Sequence, residues 1–311
     1  MKAIRTHSRG GPENLVYEDA PTPAISAGEA LIRVHAAGIT PTEFTWNSTF
    51  TNSDRSERLP AIPAFDVSGS VEKLAPGVSD LSPGNEVYGL LNFWRDGAAA
   101  ESVAVRASDL APKPRSLDFV QAAAVPLSGL TAWQALFDHA KVSQGDRVLI
   151  HGAGGGVGSF AVQLAKWKGA HVVATCSKAN ADLGLELGAS EVIDYTRTRF
   201  EDEVQEVDAV LDTVGGDTLD RSWNVLRKGG TLVTIVGDAP EDKAKALGVR
   251  GVSMLVEPNR AQLVELSRLI DSGKLRPIIS EVFSLPRAKE AYQKGLLGHA
   301  RGKLVLKVRD S

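Results

Sequence analysis

Short apolar runs alternate with amphipathic stretches between residues 147 and 236, and this rhythm organises the chain. Residues 147–151, 171–175, 191–194, 207–211 and 231–236 read as strands, being short, apolar and rich in β-branched side chains. Residues 157–168, 179–187 and 219–226 instead repeat apolar positions at the spacing of a helix. Such alternation predicts a parallel sheet with helices on both faces, wound right-handed. Earlier in the chain the pattern differs. Residues 30–36, 67–74 and 86–91 are strand candidates separated by turns such as Ala75-Pro76-Gly77 and Pro83-Gly84-Asn85, which suits a rolled sheet or partly open barrel. The polar stretch 47–58 reads as an exposed loop. Helical spacing at 119–124 and 130–137 leads into the alternating region. A helix at 260–270, strands at 278–283 and 303–308, and a helix from Arg287 follow it. The tail is expected to rejoin the first sheet. That gives a first domain of residues 1–115 completed by 259–311, and a second of 116–258.

The strongest local signal is His151-Gly152-Ala153-Gly154-Gly155-Gly156-Val157-Gly158, set between a predicted strand and a predicted helix. A G-x-G-x-x-G spacing falls on Ala153, Gly155 and Gly158, with Ala replacing the first glycine. Gly155 would let the backbone approach a pyrophosphate, and Gly158 would let helix and strand pack closely. Gly156 and Val157 stand at the entry to the helix expected from residue 157, whose free N–H groups and positive dipole suit phosphate. A tight turn alone also uses glycine; the surrounding βαβ rhythm is what points to a dinucleotide.

In sites that select NAD, an acid about 20 residues on, at the end of the second strand, accepts from the ribose hydroxyls. Here that place reads Thr175-Cys176-Ser177-Lys178-Ala179-Asn180, without an acid. Ser177, Lys178 and Asn180 would instead suit a 2′-phosphate, which favours NADPH. Lys178 would equally suit a solvated helix start.

Composition narrows the partners. With 311 residues the chain is long for one core, and 43% hydrophobic with 23% charged residues is ordinary for a globular enzyme. A net charge of −3 with scattered Lys and Arg gives no reason to expect nucleic acid or an anionic membrane. No apolar run is long enough to span a bilayer, and the stretch from Met1 lacks the apolar core of a leader, so a cytoplasmic location is expected. Cys176 is the sole cysteine, which rules out an internal disulfide and a thiolate zinc cage.

Several distinctive strings follow one another along nearly the whole chain: Ala36-Ala37-Gly38-Ile39-Thr40-Pro41, Pro63-Ala64-Phe65-Asp66-Val67-Ser68-Gly69, and Pro126-Leu127-Ser128-Gly129-Leu130-Thr131-Ala132. The glycine turn, Ile193-Asp194-Tyr195, Leu211-Asp212-Thr213-Val214-Gly215-Gly216 and Gly298-His299-Ala300-Arg301-Gly302-Lys303 complete the set. Together they resemble the zinc-independent quinone oxidoreductase branch of the medium-chain dehydrogenase/reductase superfamily, which includes zeta-crystallin-like proteins and alkenal/enone reductases. The resemblance implies an α/β chain with a GroES-like β-barrel catalytic domain, an inserted Rossmann domain, and an active site in the cleft between them. It implies that Thr131 lies by the nicotinamide and that Tyr195 approaches the adenosine phosphate. It further implies that Val214, Ile235, Val236, Gly237, Met254, Leu255, Val256, His299 and Ala300 line the cofactor. A homodimer through the last strand of the Rossmann sheet, near 251–256, is also implied.

Zinc-dependent relatives of that family carry a Cys where this chain has Thr40 and a His-Glu pair where it has Phe65-Asp66, so no metal is expected. Two departures bear on the substrate. The family often has Asn in place of Thr40, and Gly-Gly-Tyr-Ala-Glu-Tyr where this chain has Gly97-Ala98-Ala99-Ala100-Glu101-Ser102. Thr40 is the candidate contact to a substrate oxygen, and Trp46, Phe93 and Trp94 are candidates for an aromatic wall. The expected chemistry is hydride transfer from NADPH to a quinone or to the C=C bond of an enone or enal, which needs positioning and polarisation rather than a strong protein base. No His, Tyr or Lys stands out as proton donor. A dinucleotide-binding redox sensor or scaffold with weak turnover is the rival reading. Simple aldehyde or ketone reduction is disfavoured by the missing zinc and the missing Tyr-x-x-x-Lys pair.

Overall fold

A computed structural model describes residues 1–298 and 300–309. In chain order its elements are β1 (Lys2–Thr6), β2 (Leu15–Asp19), β3 (Glu29–Ile39), β4 (Asp66–Leu74), β5 (Glu86–Leu90), β6 (Ser102–Arg106), β7 (Leu110–Pro112), α1 (Phe119–Ala123) and α2 (Pro126–Trp133). Then come β8 (Arg147–His151), α3 (Gly156–Lys168), β9 (His171–Cys176), α4 (Ala181–Glu186), β10 (Glu191–Asp194), α5 (Phe200–Glu203), β11 (Val207–Asp212) and α6 (Gly216–Ser222). The remainder is β12 (Leu226–Thr234), α7 (Glu241–Leu247), β13 (Arg250–Ser253), α8 (Arg260–Asp271), β14 (Ile279–Ser284), α9 (Ala288–Leu296) and β15 (Lys303–Lys307). Among the described residues no helix is long and apolar enough to cross a membrane.

The chain forms two compact units: Met1–Leu127 with Pro258–Gly273 and Pro277–Ser311, and Ser128–Glu257 with Lys274–Arg276. The division falls inside α2 rather than at Ser116. Helix α1 belongs to the first unit because it packs on β3, where a Cβ on Gly38 would lie 2.3 Å from the Ala123 carbonyl. Ala36, Ala123, Ala124 and Val305 form a small buried core there.

In the first unit the sheet runs β14-β15-β3-β4-β5-β7, with β6 also paired to β3. One side of β3 meets β4; the other meets β6 over its first half and β15 over its second. This split, with two register shifts against β4, curls the sheet into the GroES-like roll. The stretch 47–58 is an exposed loop only in part: Asn47 and residues 53–57 are exposed, whereas Thr49, Phe50 and Thr51 are buried. The Thr49 hydroxyl donates to the Glu43 carbonyl at 2.6 Å, and Arg58 donates to the Ser48 and Thr49 carbonyls. A polar sequence hides this burial because its one large apolar anchor, Phe50, is held by packing beside Phe44.

In the second unit all strands are parallel in the order β10-β9-β8-β11-β12-β13, the Rossmann arrangement with its switch point between β8 and β11. Its core gathers Leu149, Val173, Val210 and Leu232 from the strands with Phe200 and Trp223. Two elements end differently from the apolar pattern. The expected helix at 219–226 is α6 three residues earlier, because Leu226 already opens β12. The expected strand at 251–256 stops at Ser253, since the Gln134 side chain captures both N–H and C=O of Glu257 and turns Val256 inward.

Candidate functional site

In the second unit, β8 hands over to α3 through a turn that only glycine fits. Gly152 has φ +74, and a Cβ there would lie 2.4 Å from Thr213 Oγ1. The N–H groups of Gly152 and Ala153 both donate to the Thr175 carbonyl, which holds the turn against β9 and leaves Ala153 fully buried. Gly158 is pressed on the turn: a Cβ would lie 2.2 Å from the Gly152 oxygen. Gly155 is different. It is the N-cap of α3 with extended backbone (φ −82, ψ 179), and a Cβ would meet only the Gly152 oxygen at 3.4 Å. No side chain caps α3, so the first-turn N–H groups around half-buried Gly156 and Val157 are available to an anion.

Beneath the turn lies His151, which the glycine string contains but for which local spacing assigns no role. Its ring is fully buried, with Nδ1 2.9 Å from Thr175 Oγ1 and Nε2 3.0 Å from Ser222 Oγ. Ser222 gives its own proton to the Thr218 carbonyl, so it accepts from His151 and the Nε2 nitrogen carries the hydrogen. Burial lowers the imidazole to about 4, keeping this neutral tautomer in place. The ring thereby ties β8 to β9 and α6. Asp212, also buried, does similar work at the end of β11: its carboxylate accepts from the N–H groups of Val214 and Gly215 and from Thr234 Oγ1 at 2.8 Å, shaping the loop that carries Val214.

The carboxyl ends of the strands present apolar side chains to solvent. Tyr195 follows β10, Val214 follows β11, Val236 follows β12 and Leu255 follows β13, and all four are more than half exposed. Exposed apolar groups at this edge of a parallel sheet suit a planar ligand. Ile235 and Met254 are half-buried and Gly237 is exposed beside them. Val256 is instead buried, as the early end of β13 dictates, and Thr131 is buried on α2.

At the ribose end, Ser177 is half-buried and Lys178 exposed. Asn180 is buried and packs against the glycine turn, where a Cβ on Gly154 would fall 2.5 Å from its Nδ2. An acid does approach, from the next strand: Asp194 ends β10, its Oδ1 taken by the hydroxyl and N–H of Thr196. Asp194 is distant from the end of the second strand in sequence and comes beside it only because β10 pairs with β9 in the folded sheet.

In the first unit a buried polar cluster gathers around Thr40. Lys303 Nζ lies 2.8 Å from Asp66 Oδ2 and 3.3 Å from Thr40 Oγ1. Asp66 Oδ1 accepts from the Leu127 N–H. Glu43, fully buried, accepts from the Ala64 N–H at 3.2 Å and from the Tyr292 hydroxyl. Burial raises the Glu43 carboxyl to about 8, against the lowering effect of those hydrogen bonds. Its grip holds Ala64 in a left-handed conformation (φ +72), and this bend precedes Phe65 and Asp66. Beside the cluster Trp46, Phe65 and Phe93 form one ring group, with centroids 5.4 Å apart for Trp46–Phe93, 5.1 Å for Phe65–Phe93 and 6.3 Å for Trp46–Phe65. Phe65 was absent from the sequence-derived wall. Phe93 is buried within this group, whereas half-buried Trp94 makes no ring contact among the described residues. Ala300 is half-buried, and His299 lies outside the described residues.

Comparison with known proteins agrees with this anatomy. The alcohol dehydrogenase GroES-like domain family matches residues 26–115, and the zinc-binding dehydrogenase family matches residues 187–306. A probable zinc-binding oxidoreductase, mitochondrial, of Arthroderma benhamiae is 35% identical, covering 94% of this chain and 93% of its own. An NADPH-dependent alkenal/one oxidoreductase, chloroplastic, of Arabidopsis thaliana is 33% identical, covering 98% of this chain and 79% of its own. The quinone oxidoreductase structure from Coxiella burnetii superposes with a TM-score of 0.90 at 36% identity, covering 99% of both chains. This chain belongs to the medium-chain dehydrogenase/reductase superfamily. It is an oxidoreductase that uses a nicotinamide cofactor. The open N-cap at Gly155 and the exposed apolar strand ends fit that cofactor. At the positions that the resemblance assigns to zinc ligands, this chain has the Thr40 hydroxyl, the Phe65 ring, which offers no donor, and an Asp66 carboxylate 2.8 Å from Lys303 Nζ.

Proposed function

We propose that this protein is a zinc-free reductase that prefers NADPH and transfers hydride to the C=C bond of an enone or enal, or to a quinone. The observation that carries the reading is the exchange at the metal position. There, a hydroxyl, a phenyl ring and a lysine-paired carboxylate replace the groups that would polarise an alcohol or aldehyde through zinc. The relatives named for alkenal/one and quinone reduction support the same chemistry.

A bound dihydronicotinamide supplies the hydride. The first turn of α3 after Gly155 would hold its pyrophosphate, and Ser177 and Lys178 its 2′-phosphate. Tyr195, Val214, Val236 and Leu255 would exclude water from the rings, with Thr131 nearby. In the first unit half-buried Trp46, backed by the buried rings of Phe65 and Phe93, would offer flat apolar surface to a conjugated substrate, and the Thr40 hydroxyl a hydrogen bond to its oxygen. Assembly as a homodimer through the free edge of β13 belongs to the same proposal.

The test is NADPH oxidation against benzoquinone, methyl vinyl ketone and benzaldehyde, each with and without a strong zinc chelator. The expected result is turnover of the first two, unaffected by chelation. Turnover of benzaldehyde that chelation abolishes, or no turnover of any acceptor, refutes it.

A further inference from the structure

We propose that Lys303 and Thr40 form a proton-delivery pair, in which the buried ammonium orients the Thr40 hydroxyl and replaces the proton that this hydroxyl gives to the developing substrate oxyanion. The inference rests on the enone or quinone reading of the site and names the acid which that reading lacks.

Lys303 opens β15 and is 5% exposed. Its Nζ contacts Asp66 Oδ2 on β4 and Thr40 Oγ1 just past β3. An ammonium only donates, so Thr40 Oγ1 is the acceptor in that contact and its own hydrogen is directed elsewhere. That hydrogen is not spent on capping. Thr40 precedes the 3-10 turn Pro41–Thr45, yet its side chain makes no cap bond there. Within the cluster Glu43, Asp66, Tyr292 and Lys303 are all buried, while Thr40 alone is half-exposed. Thr40 is therefore the member of this cluster that is open to solvent, and its hydroxyl is the assigned outlet. A staple between β15 and β4 would need only the Lys303–Asp66 pair; the contact with Thr40 is additional.

Hydride leaves a C–H bond of the dihydronicotinamide ring and forms a C–H bond at the β-carbon; the C=C pair shifts to the bond between the α-carbon and the carbonyl carbon, and the C=O π pair moves to oxygen. The Thr40 O–H bond breaks as an O–H bond forms on that oxygen. Oγ1 takes a proton from Lys303 Nζ, leaving a neutral amine beside Asp66, and water returns the proton afterwards. One hydride and one proton thus give the enol, which tautomerises to the saturated ketone. A quinone takes the same hydride and proton to give the hydroquinone. Asp66, Glu43 and Tyr292 are the titratable groups around the ammonium.

A binding experiment separates this pair from mere structure. The protein loaded with oxidised dinucleotide is titrated with 4-nitrophenol, whose phenolate colour reports its ionisation and mimics the oxyanion. The wild type should lower the midpoint of phenolate formation by about one pH unit or more, as a nearby cation and donor do. Thr40→Val should abolish that shift while leaving the ion pair intact, and Thr40→Ser should restore it. The double variant Lys303→Met, Asp66→Asn, which leaves no lone buried charge, should also abolish it while keeping the native circular dichroism. In turnover, Thr40→Val should lower kcat about 10²-fold with little change in KM, the usual yield of one general acid. No binding or an unshifted midpoint in the wild type, or a Thr40→Val protein that behaves like it, overturns the proposal. A shifted phenolate in a protein that reduces no enone or quinone would sink the functional reading while leaving the pair standing.

Discussion

Replacing Gly155 by Val and Gly158 by Ala separates ligand binding from folding at neighbouring positions. At Gly155 the backbone is extended, a conformation that Val adopts readily, and its Cβ would find only the Gly152 oxygen at 3.4 Å. Losing a tolerated N-cap residue costs about 0.5–1 kcal/mol. Stiffening the unfolded chain returns about 0.4–1 kcal/mol, so stability should change by less than about 1 kcal/mol. The branched side chain would, however, stand over the first-turn N–H groups. Loss of one charge-assisted hydrogen bond to a phosphate is worth about 1.5–3 kcal/mol, which weakens NADPH binding roughly 10- to 150-fold. At Gly158 the balance reverses. A methyl group would sit 2.2 Å from the Gly152 oxygen and 2.8 Å from the Ala153 Cα, so α3 must retreat from the turn. Such overpacking costs about 1–3 kcal/mol or more, and the gain in helix propensity returns only about 1. Calorimetric titration with NADPH and thermal unfolding followed by circular dichroism read the two effects. The reasoning fails if Gly155→Val binds NADPH as tightly as the wild type, or if it melts as early as Gly158→Ala.

Lys178→Glu should cut the preference for NADPH over NADH by about 1–3 kcal/mol, through loss of one charge-assisted contact; equal affinity for both cofactors in the unaltered protein would end that claim. Glu43 gives a pH signature. Its carboxyl titrates at about 8 in the folded protein against 4.5 when free, so the folded state keeps a proton that the unfolded chain releases. That contribution is whole below pH 4.5, declines as pH rises, and is gone above about 8. Glu43→Gln should therefore gain on the wild type in urea midpoint between about pH 5 and 8.5; a constant difference across that range would contradict it. Ser253→Lys with Leu255→Lys, both exposed at or beside the free edge of β13, should shift a dimer toward monomer in light scattering by bringing like charges together. A wild type that is already monomeric at micromolar concentration would refute the assembly.

What the sequence by itself determined was whatever repeats locally. Strand and helix periods are set by neighbours a few residues apart, so Arg147–His151 and Glu191–Asp194 were legible to the residue. The need for bare backbone at Gly158 was legible for the same reason, because the Gly152 oxygen that crowds it belongs to the same turn; the need at Gly152 was not, because its neighbour Thr213 comes from another strand end. Side-chain direction and long-range pairing were decided only by the tertiary structure. Asn180 turns under Gly154, and β13 ends at Ser253 because Gln134 reaches Glu257. Phe65 joins Trp46 and Phe93 only when the bend at Ala64, held by Glu43, aims it there. Lys303 meets Thr40 across 263 residues and Tyr292 meets Glu43 across 249. No periodicity announces such partners, because a buried charge is tolerated only where packing delivers its counter-charge, and that delivery is a property of the folded sheet.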